Sequence, residues 1–298
     1  MHPEGPRSEQ SASPTPTTEP TLGEWREIRP RVWIAQAEPA AVTIGVVAGE
    51  TGALVVDCGS TPSQGADIRA AAEELAGVPV IAAVVTHAHW DHWFGLSAFD
   101  DVITIGHESL LEALDSDESL GEQAAGLGFT ADELVAPNAP LTVVRALDVG
   151  GRRVELFHPG PGHTEGDLVV HVPDAEVLFV GDLVEQAGPP WYGTDSRPHD
   201  WATTLDSVIG MLGEHTLAVV GHGDPVDRDF CLQTRAATAA VSGEIRALVE
   251  RGVPVDQAYA EGHWPWPEAN IAAGIERGYD ELGGPRPPKP PMITLPMA

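Results

Sequence analysis

The sequence predicts an α/β protein, and three observations carry the prediction. Short runs rich in β-branched residues, such as Val80-Ile81-Ala82-Ala83-Val84-Val85, alternate with stretches of helical character. Several runs end in glycine followed by a polar side chain, as in Phe179-Val180-Gly181-Asp182 and Val219-Val220-Gly221-His222. Hydrophobic residues make up 42% of the 298, enough for a substantial core.

Taken in order, strands are expected near 32–35, 41–47 and 53–56. A helix over 68–75 follows, introduced by Thr61-Pro62. The strand at 80–85 leads into a histidine-rich loop. A short helix starts within 93–100, a strand covers 102–105 and a helix 107–114. Residues 115–138 are acidic and partly helical, and read as an insertion or flap. A second set of strands falls at 143–146, 153–157, 168–171 and 177–180, then a helix at 201–212 and a strand ending at Val220. Helices are expected over 227–251 and 267–282. Residues 1–22, rich in Ser, Thr, Pro and Glu, are expected to be a disordered tail, and the proline-rich residues 284–298 an extended one. Between them lies one domain over 23–283, with its functional core at about 30–225 and C-terminal helices at 226–283. No repeat of fixed period is evident.

The strand at 80–85 is followed by Thr86-His87-Ala88-His89-Trp90-Asp91-His92. In extended chain, side chains repeat every two residues, so His87 and His89 share a side. Asp91 and His92 follow where the chain turns toward a helix, and can reach a second position. Histidine is only 12 of 298 residues, so a chance match has odds on the order of one in 300. Further ligand-type side chains stand in loops of similar design: His163 in Gly160-Pro161-Gly162-His163-Thr164-Glu165-Gly166, Asp182 after Phe-Val-Gly, and His222 in Gly-His-Gly. Glycine lets backbone approach a crowded site.

These pieces, in this order, resemble the metallo-β-lactamase fold superfamily of metallohydrolases. Asp57, ending the strand at 53–56, matches the family's early supporting aspartate. The resemblance implies a four-layer αββα sandwich of two mixed sheets flanked by helices. It implies that His87, His89 and His163 hold a first metal, that Asp91, His92 and His222 hold a second, and that Asp182 bridges both. It further implies a hydrolase in which a metal-bridging hydroxide attacks an ester, lactone, thioester or amide carbonyl, with Asp91 orienting the nucleophile. Imidazoles with carboxylates suit two Zn²⁺ ions per chain, and also iron or manganese. Aspartate at 182, in place of a cysteine, departs from the secreted antibiotic-destroying branch and resembles the glyoxalase II and lactonase branches. The alternatives are an iron-dependent oxidoreductase of the same fold, similar to persulfide dioxygenases, and a non-catalytic metal-binding module. His2, His107, His158, His171, His199, His215 and His263 read as ordinary core or surface residues.

A net charge of −29 discourages nucleic acid as a partner, since that needs a basic footprint. Two cysteines, Cys58 and Cys231, make no disulfide framework. Cys58, beside Asp57, is a lesser candidate for a soft ligand. No leader-type apolar region opens the chain and no apolar run reaches 18 residues, so a cytoplasmic protein with no membrane partner is expected. The substrate is expected to be a small molecule. Trp90, Trp93, the segment 189–193, His199, Trp201, Trp264 and Trp266 are candidate pocket walls, with core packing the equal rival. No basic cluster suited to a glutathione-like anion is visible; Arg152, Arg153 and Arg197 are scattered.

Overall fold

The computed structural model describes residues 19–287. The expected tails over 1–18 and 288–298 lie outside the described residues. The described chain forms two compact units: residues up to 140 together with 148–152, and residues 141–147 together with 153 onward. Each has a mixed sheet, as the α/β expectation requires.

The first unit opens with β1 (Thr21–Leu22), β2 (Arg26–Arg29), β3 (Val32–Glu38), β4 (Val42–Ala48) and β5 (Ala53–Val56). The helix α1 (Pro62–Ala76) crosses over to β6 (Val80–Val84). Then come the single turn α2 (Trp90–Trp93), a 3-10 turn at Leu96–Phe99, and β7 (Ile103–Ile105). The sheet runs β1-β3-β4-β5-β6-β7, with β2 also on β3. Pairing is antiparallel as far as β5 and parallel from β5 through β7. Along β4 all seven residues are buried, which explains a sequence apolar but for Thr43. Val42, Ile44, Val46 and Ala48 alternate onto one face and join a core with Ile68, Ala72 and Ala76 of α1.

Local chemistry starts α1 earlier than its apolar spacing indicates. Thr61 caps it by accepting the Gln64 amide at 3.1 Å, Pro62 suits the first turn, and Gly77 ends it at φ 69°. Two corrections concern the N-terminal edge. Thr21 and Leu22, inside the stretch expected to be disordered, pair with Glu38 and Ala37. The Gln64 carboxamide donates to the carbonyls of Thr21 (3.0 Å) and Glu38 (2.7 Å), so that edge is tied to α1. The strand β2 has no apolar alternation, and its sequence gave no warning of it.

Within 115–138 the partly helical expectation is met by the end of α3 (Ser109–Ser116) and by α4 (Leu120–Gly126), followed by a 3-10 turn at Ala131–Glu133. Leu110, Leu120, Ala124 and Leu134 are buried in the unit's core, so this segment packs rather than hangs.

The second sheet runs β12-β11-β10-β9-β8, from β8 (Val144–Val149), β9 (Arg152–Phe157), β10 (Val169–Val172), β11 (Val177–Gly181) and β12 (Leu217–Val220). Its helices are α5 (Trp201–Met211), α6 (Arg228–Glu250), α7 (Val255–Glu261) and α8 (Glu268–Leu282), which makes eight α-helices among the described residues. Only α7 is absent from the sequence expectations. Val169, Leu178, Val180, Ala218 and Val220 form a core with Val208, Val241, Ile245 and Ile275 of the helices.

Topology brings three loops to one end of this second sheet. The antiparallel pairs β9–β10 and β10–β11 place the loop before β10 beside the end of β11. The parallel pair β11–β12 places the end of β12 there too, with Gly181 opposite Val220. No helix among the described residues is long and apolar enough to cross a membrane.

Candidate metal centre

Four predicted ligands stand in the first unit, in one run after β6. Parallel pairing sets Val56 opposite Val84, so Asp57 and Thr86 both leave the carboxyl ends of adjacent strands. There Asp57, 2% exposed and at φ 65°, is the hub. Its carboxylate accepts the Thr86 amide at 2.7 Å, the Thr86 hydroxyl at 3.0 Å and His92 Nδ1–H at 2.8 Å. Donating from Nδ1 leaves the lone pair of His92 on Nε2. The Thr86 hydroxyl, with its proton committed to Asp57, faces His87 Nδ1 at 3.0 Å, which leaves His87 its Nε2 lone pair as well.

His89 presents the other ring atom: its Nδ1 lies 3.1 Å from His87 Nε2. Two ring nitrogens at that separation can share a proton, or both ligate one ion. Asp91 Oδ2 lies 3.6 Å from His92 Nε2, and both residues are buried. The backbone pins the run from behind, since the Cys58 amide donates to the His92 carbonyl at 2.8 Å. Gly95 and Gly65 face each other so closely that a Cβ on Gly65 would lie 2.1 Å from the Gly95 carbonyl oxygen, and one on Gly95 would lie 1.9 Å from the Cys58 carbonyl oxygen.

The other three predicted ligands stand at the shared end of the second sheet. His163 is 1% exposed, and its Nδ1–H donates to the Trp191 carbonyl at 3.1 Å, which leaves Nε2 for a ligand. Its loop is stiffened by Asp167, whose carboxylate accepts the Thr164 amide at 3.1 Å and the Thr164 hydroxyl at 2.8 Å. Asp182 leaves β11 and His222 leaves β12. Asp182 Oδ2 lies 3.5 Å from His163 Nε2 and 3.3 Å from His222 Nε2. No helix follows Asp182, so it is no helix cap. Gly221 is required here: a Cβ would come within 1.7 Å of Asp182 Oδ1.

These donor sets fit a metal. His87, His92 and His163 each have Nδ1 engaged in a hydrogen bond and Nε2 turned the other way, and carboxylates stand within 4 Å of His92, His163 and His222. The composition, histidine and aspartate without an available thiolate, suits zinc, iron or manganese. Cys58 is fully buried, and burial followed by the charge of Asp57 pushes its thiol well above its ordinary pKa. It packs in the first unit's core and belongs to neither group of candidate ligands.

Three of the histidines set aside in the sequence have structural partners. His158 Nδ1 meets the Asp167 carbonyl at 2.8 Å, and His171 Nδ1 meets Glu155 at 3.2 Å. His199 bridges Ser242 (2.9 Å) and the Gly278 carbonyl (3.1 Å), with burial lowering its pKa. Of the candidate pocket walls, Trp93, Tyr192 and Trp201 are core residues, each at most 1% exposed. Trp90, Trp191, Trp264 and Trp266 are half-buried.

Thr86, Asp167 and the Trp191 carbonyl carry supporting roles that the sequence reading did not assign. Parallel strand register would have paired Thr86 with Asp57, and the Thr-x-x-Asp spacing would have flagged Asp167. A backbone carbonyl leaves no side-chain signal.

Comparison with known proteins adds the family. The chain is 32% identical over 153 residues to a metallo-beta-lactamase type 2 from Bacillus cereus, a match covering 51% of this chain and 55% of the relative. It is 29% identical over 158 residues to the acyl-coenzyme A thioesterase MBLAC2 from Bos taurus, covering 48% and 55%. The chain thus spans about half the length of these curated relatives. In fold it is similar to a metallo-beta-lactamase from Pontibacter korlensis, with a TM-score of 0.61 at 21% identity, over 74% of this chain and 99% of that one. The family model for the metallo-beta-lactamase superfamily matches residues 37–222, from the end of β3 to His222 and across every predicted ligand, and the chain belongs to that superfamily.

Proposed function

We propose that this chain is a dinuclear metal-dependent hydrolase acting on the acyl carbonyl of a small molecule, with zinc as its metal. The observation that carries the reading is Asp182 Oδ2, placed 3.5 Å from one ligand-type imidazole and 3.3 Å from another. A single carboxylate between two histidines of different loops is the arrangement of a bridging ligand. His87, His89 and His163 with Asp182 would hold one ion; Asp91, His92 and His222 would hold the other.

Bound there, the ions supply Lewis acidity, which acidifies water toward a pKa of about 7 and polarises a carbonyl. The chain's own residues do the rest. Asp57, through Thr86 and His92, and the Trp191 carbonyl, through His163, select the imidazole tautomers before any ligand arrives. Asp91, the one carboxylate of the histidine run, orients the attacking water and takes its proton. Trp90 and Trp191, half-buried beside ligand residues, offer apolar surface to the acyl portion. The names of the relatives, a beta-lactamase and an acyl-coenzyme A thioesterase, support an acyl carbonyl as the reacting group.

The test is elemental analysis of the purified protein, followed by a panel of ester, lactone, thioester and amide substrates. The expected result is close to two zinc ions per chain and turnover on at least one acyl class. A single iron with oxygen consumption on a persulfide would overturn the hydrolase reading.

A further inference from the structure

We propose that α8, the C-terminal helix beyond the family match, is a positioning element for the loop that carries His163. The proposal rests on the reading above, in which His163 is a ligand. Asn270, Gly274, Gly278 and Glu281 are spaced four, four and three apart, so they form one stripe along α8. All four touch the segment 189–199 or Arg197 within it.

Near the start of the helix, the Tyr192 amide donates to the Asn270 carbonyl at 2.9 Å, and the Asn270 carboxamide donates back to the Pro189 carbonyl at 3.3 Å. One turn on, the Tyr192 ring lies so close to Gly274 that a Cβ there would be 2.5–2.8 Å from three of its side-chain atoms. Another turn on, His199 donates to the Gly278 carbonyl at 3.1 Å. At the last turn Glu281 Oε1 pairs with the Arg197 guanidinium at 3.2 Å, and the same guanidinium pairs with Glu165, two residues from His163.

These contacts converge on the ligand. Trp191, held between Pro189 and Tyr192, supplies the carbonyl that accepts His163 Nδ1–H. The Arg197 amide also donates to the Gly162 carbonyl at 2.8 Å, next to His163. Thus α8 acts on His163 from both sides of its loop, through Trp191 and through Arg197. Its glycines allow the 189–199 segment to approach closely enough for the Trp191 carbonyl to reach the imidazole, and a carbonyl in that place fixes the tautomer whose lone pair is on Nε2.

The experiment compares the full chain with Gly274→Ala and Asn270→Ala, and with Ile271→Ala as a control whose side chain packs in the apolar core. Two readouts are taken. In metal-free protein, the His163 Nδ1–H proton is followed by NMR. In metal-loaded protein, zinc affinity at each site is measured by chelator competition, with His163→Ala and His222→Ala as references that identify the sites.

Wild type is expected to show a slowly exchanging His163 proton. Gly274→Ala and Asn270→Ala should lose or shift it, and should weaken the His163-dependent ion about 10–100-fold while sparing the His222-dependent one. Ile271→Ala should lower the melting temperature without either effect. Unchanged proton signal and affinities within about threefold in both stripe variants, well short of that range, would overturn the proposal. Equal weakening by Ile271→Ala would overturn it too, by reducing the effect to general stability. If Gly274→Ala does not fold, Asn270→Ala decides. If wild type takes up no zinc, the hydrolase reading fails, and the proton signal still decides the positioning role.

Discussion

The two units present their ligand-type residues in opposite ways. The first supplies four within six residues, in one run at the end of one strand, anchored by a single buried carboxylate, Asp57. The second supplies three from loops that begin after β9, β11 and β12, and these are separated by 19 and 40 positions, as their numbers 163, 182 and 222 show. A contiguous set is oriented by local chain geometry, so one polar anchor suffices. A dispersed set depends on sheet register, on glycines such as Gly221 that let strands close up, and on packing from helices remote in sequence.

The largest test of this contrast is Asp91→Asn, which alters the run without altering its shape. The amide ligates more weakly and takes no proton. We expect kcat to fall about 10²–10⁴-fold, with the ion of the His92 group weakened and that of the His163 group retained. Full metal content with near wild-type kcat would show that Asp91 plays no part in proton transfer.

Asp57→Ala comes next. It strips three hydrogen bonds from buried partners in the first unit and is expected to cost roughly 2–4 kcal/mol of stability, measured by denaturant unfolding of the metal-free chain. The corresponding change in the second unit, Gly221→Ala, should act differently. The methyl must displace Asp182, so zinc stoichiometry should fall more than stability does. If both variants lose stability and metal in equal proportion, the division between a polar anchor and a steric one fails.

The smallest effect concerns the N-terminal edge. Removing residues 1–22 takes away the Thr21–Leu22 pairing and the Gln64 bond to Thr21, whereas removing 1–18 spares both. The difference between the two truncations should be about 1 kcal/mol, a shift of about 2–4 °C in melting temperature. Identical melting curves would return those four residues to the tail.

The same contrast explains what could be read in advance. The histidine run was legible because its function is written in consecutive residues after an apolar strand, where period-two geometry applies. His163, Asp182 and His222 were legible one by one as ligand types in glycine-flanked strand ends, but joining them required the family resemblance. Spacing alone says nothing of which loops share an end of a sheet. Strand β2 was missed because it carries no apolar alternation, and helix α7 because it is only seven residues long, so that Val255, Ala258 and Tyr259 share a face over less than two turns. Trp93, Tyr192 and Trp201 show the converse, since an aromatic residue near a ligand motif looks the same in sequence whether it lines a pocket or fills a core.

By itself, the sequence determined the α/β class, most of the strands and helices, and the identity of the ligand-type side chains. Those depend on local patterns, on the residue before and after and on the period of apolar burial. Only the tertiary structure decided which nitrogen each imidazole presents, that Asp182 stands between His163 and His222, and that α8 braces the loop of His163. These depend on partners tens of residues away, such as Asp57 for His92 or Asn270 for Tyr192. A hydrogen bond's direction is set where the two groups meet in space, and no local pattern records that meeting.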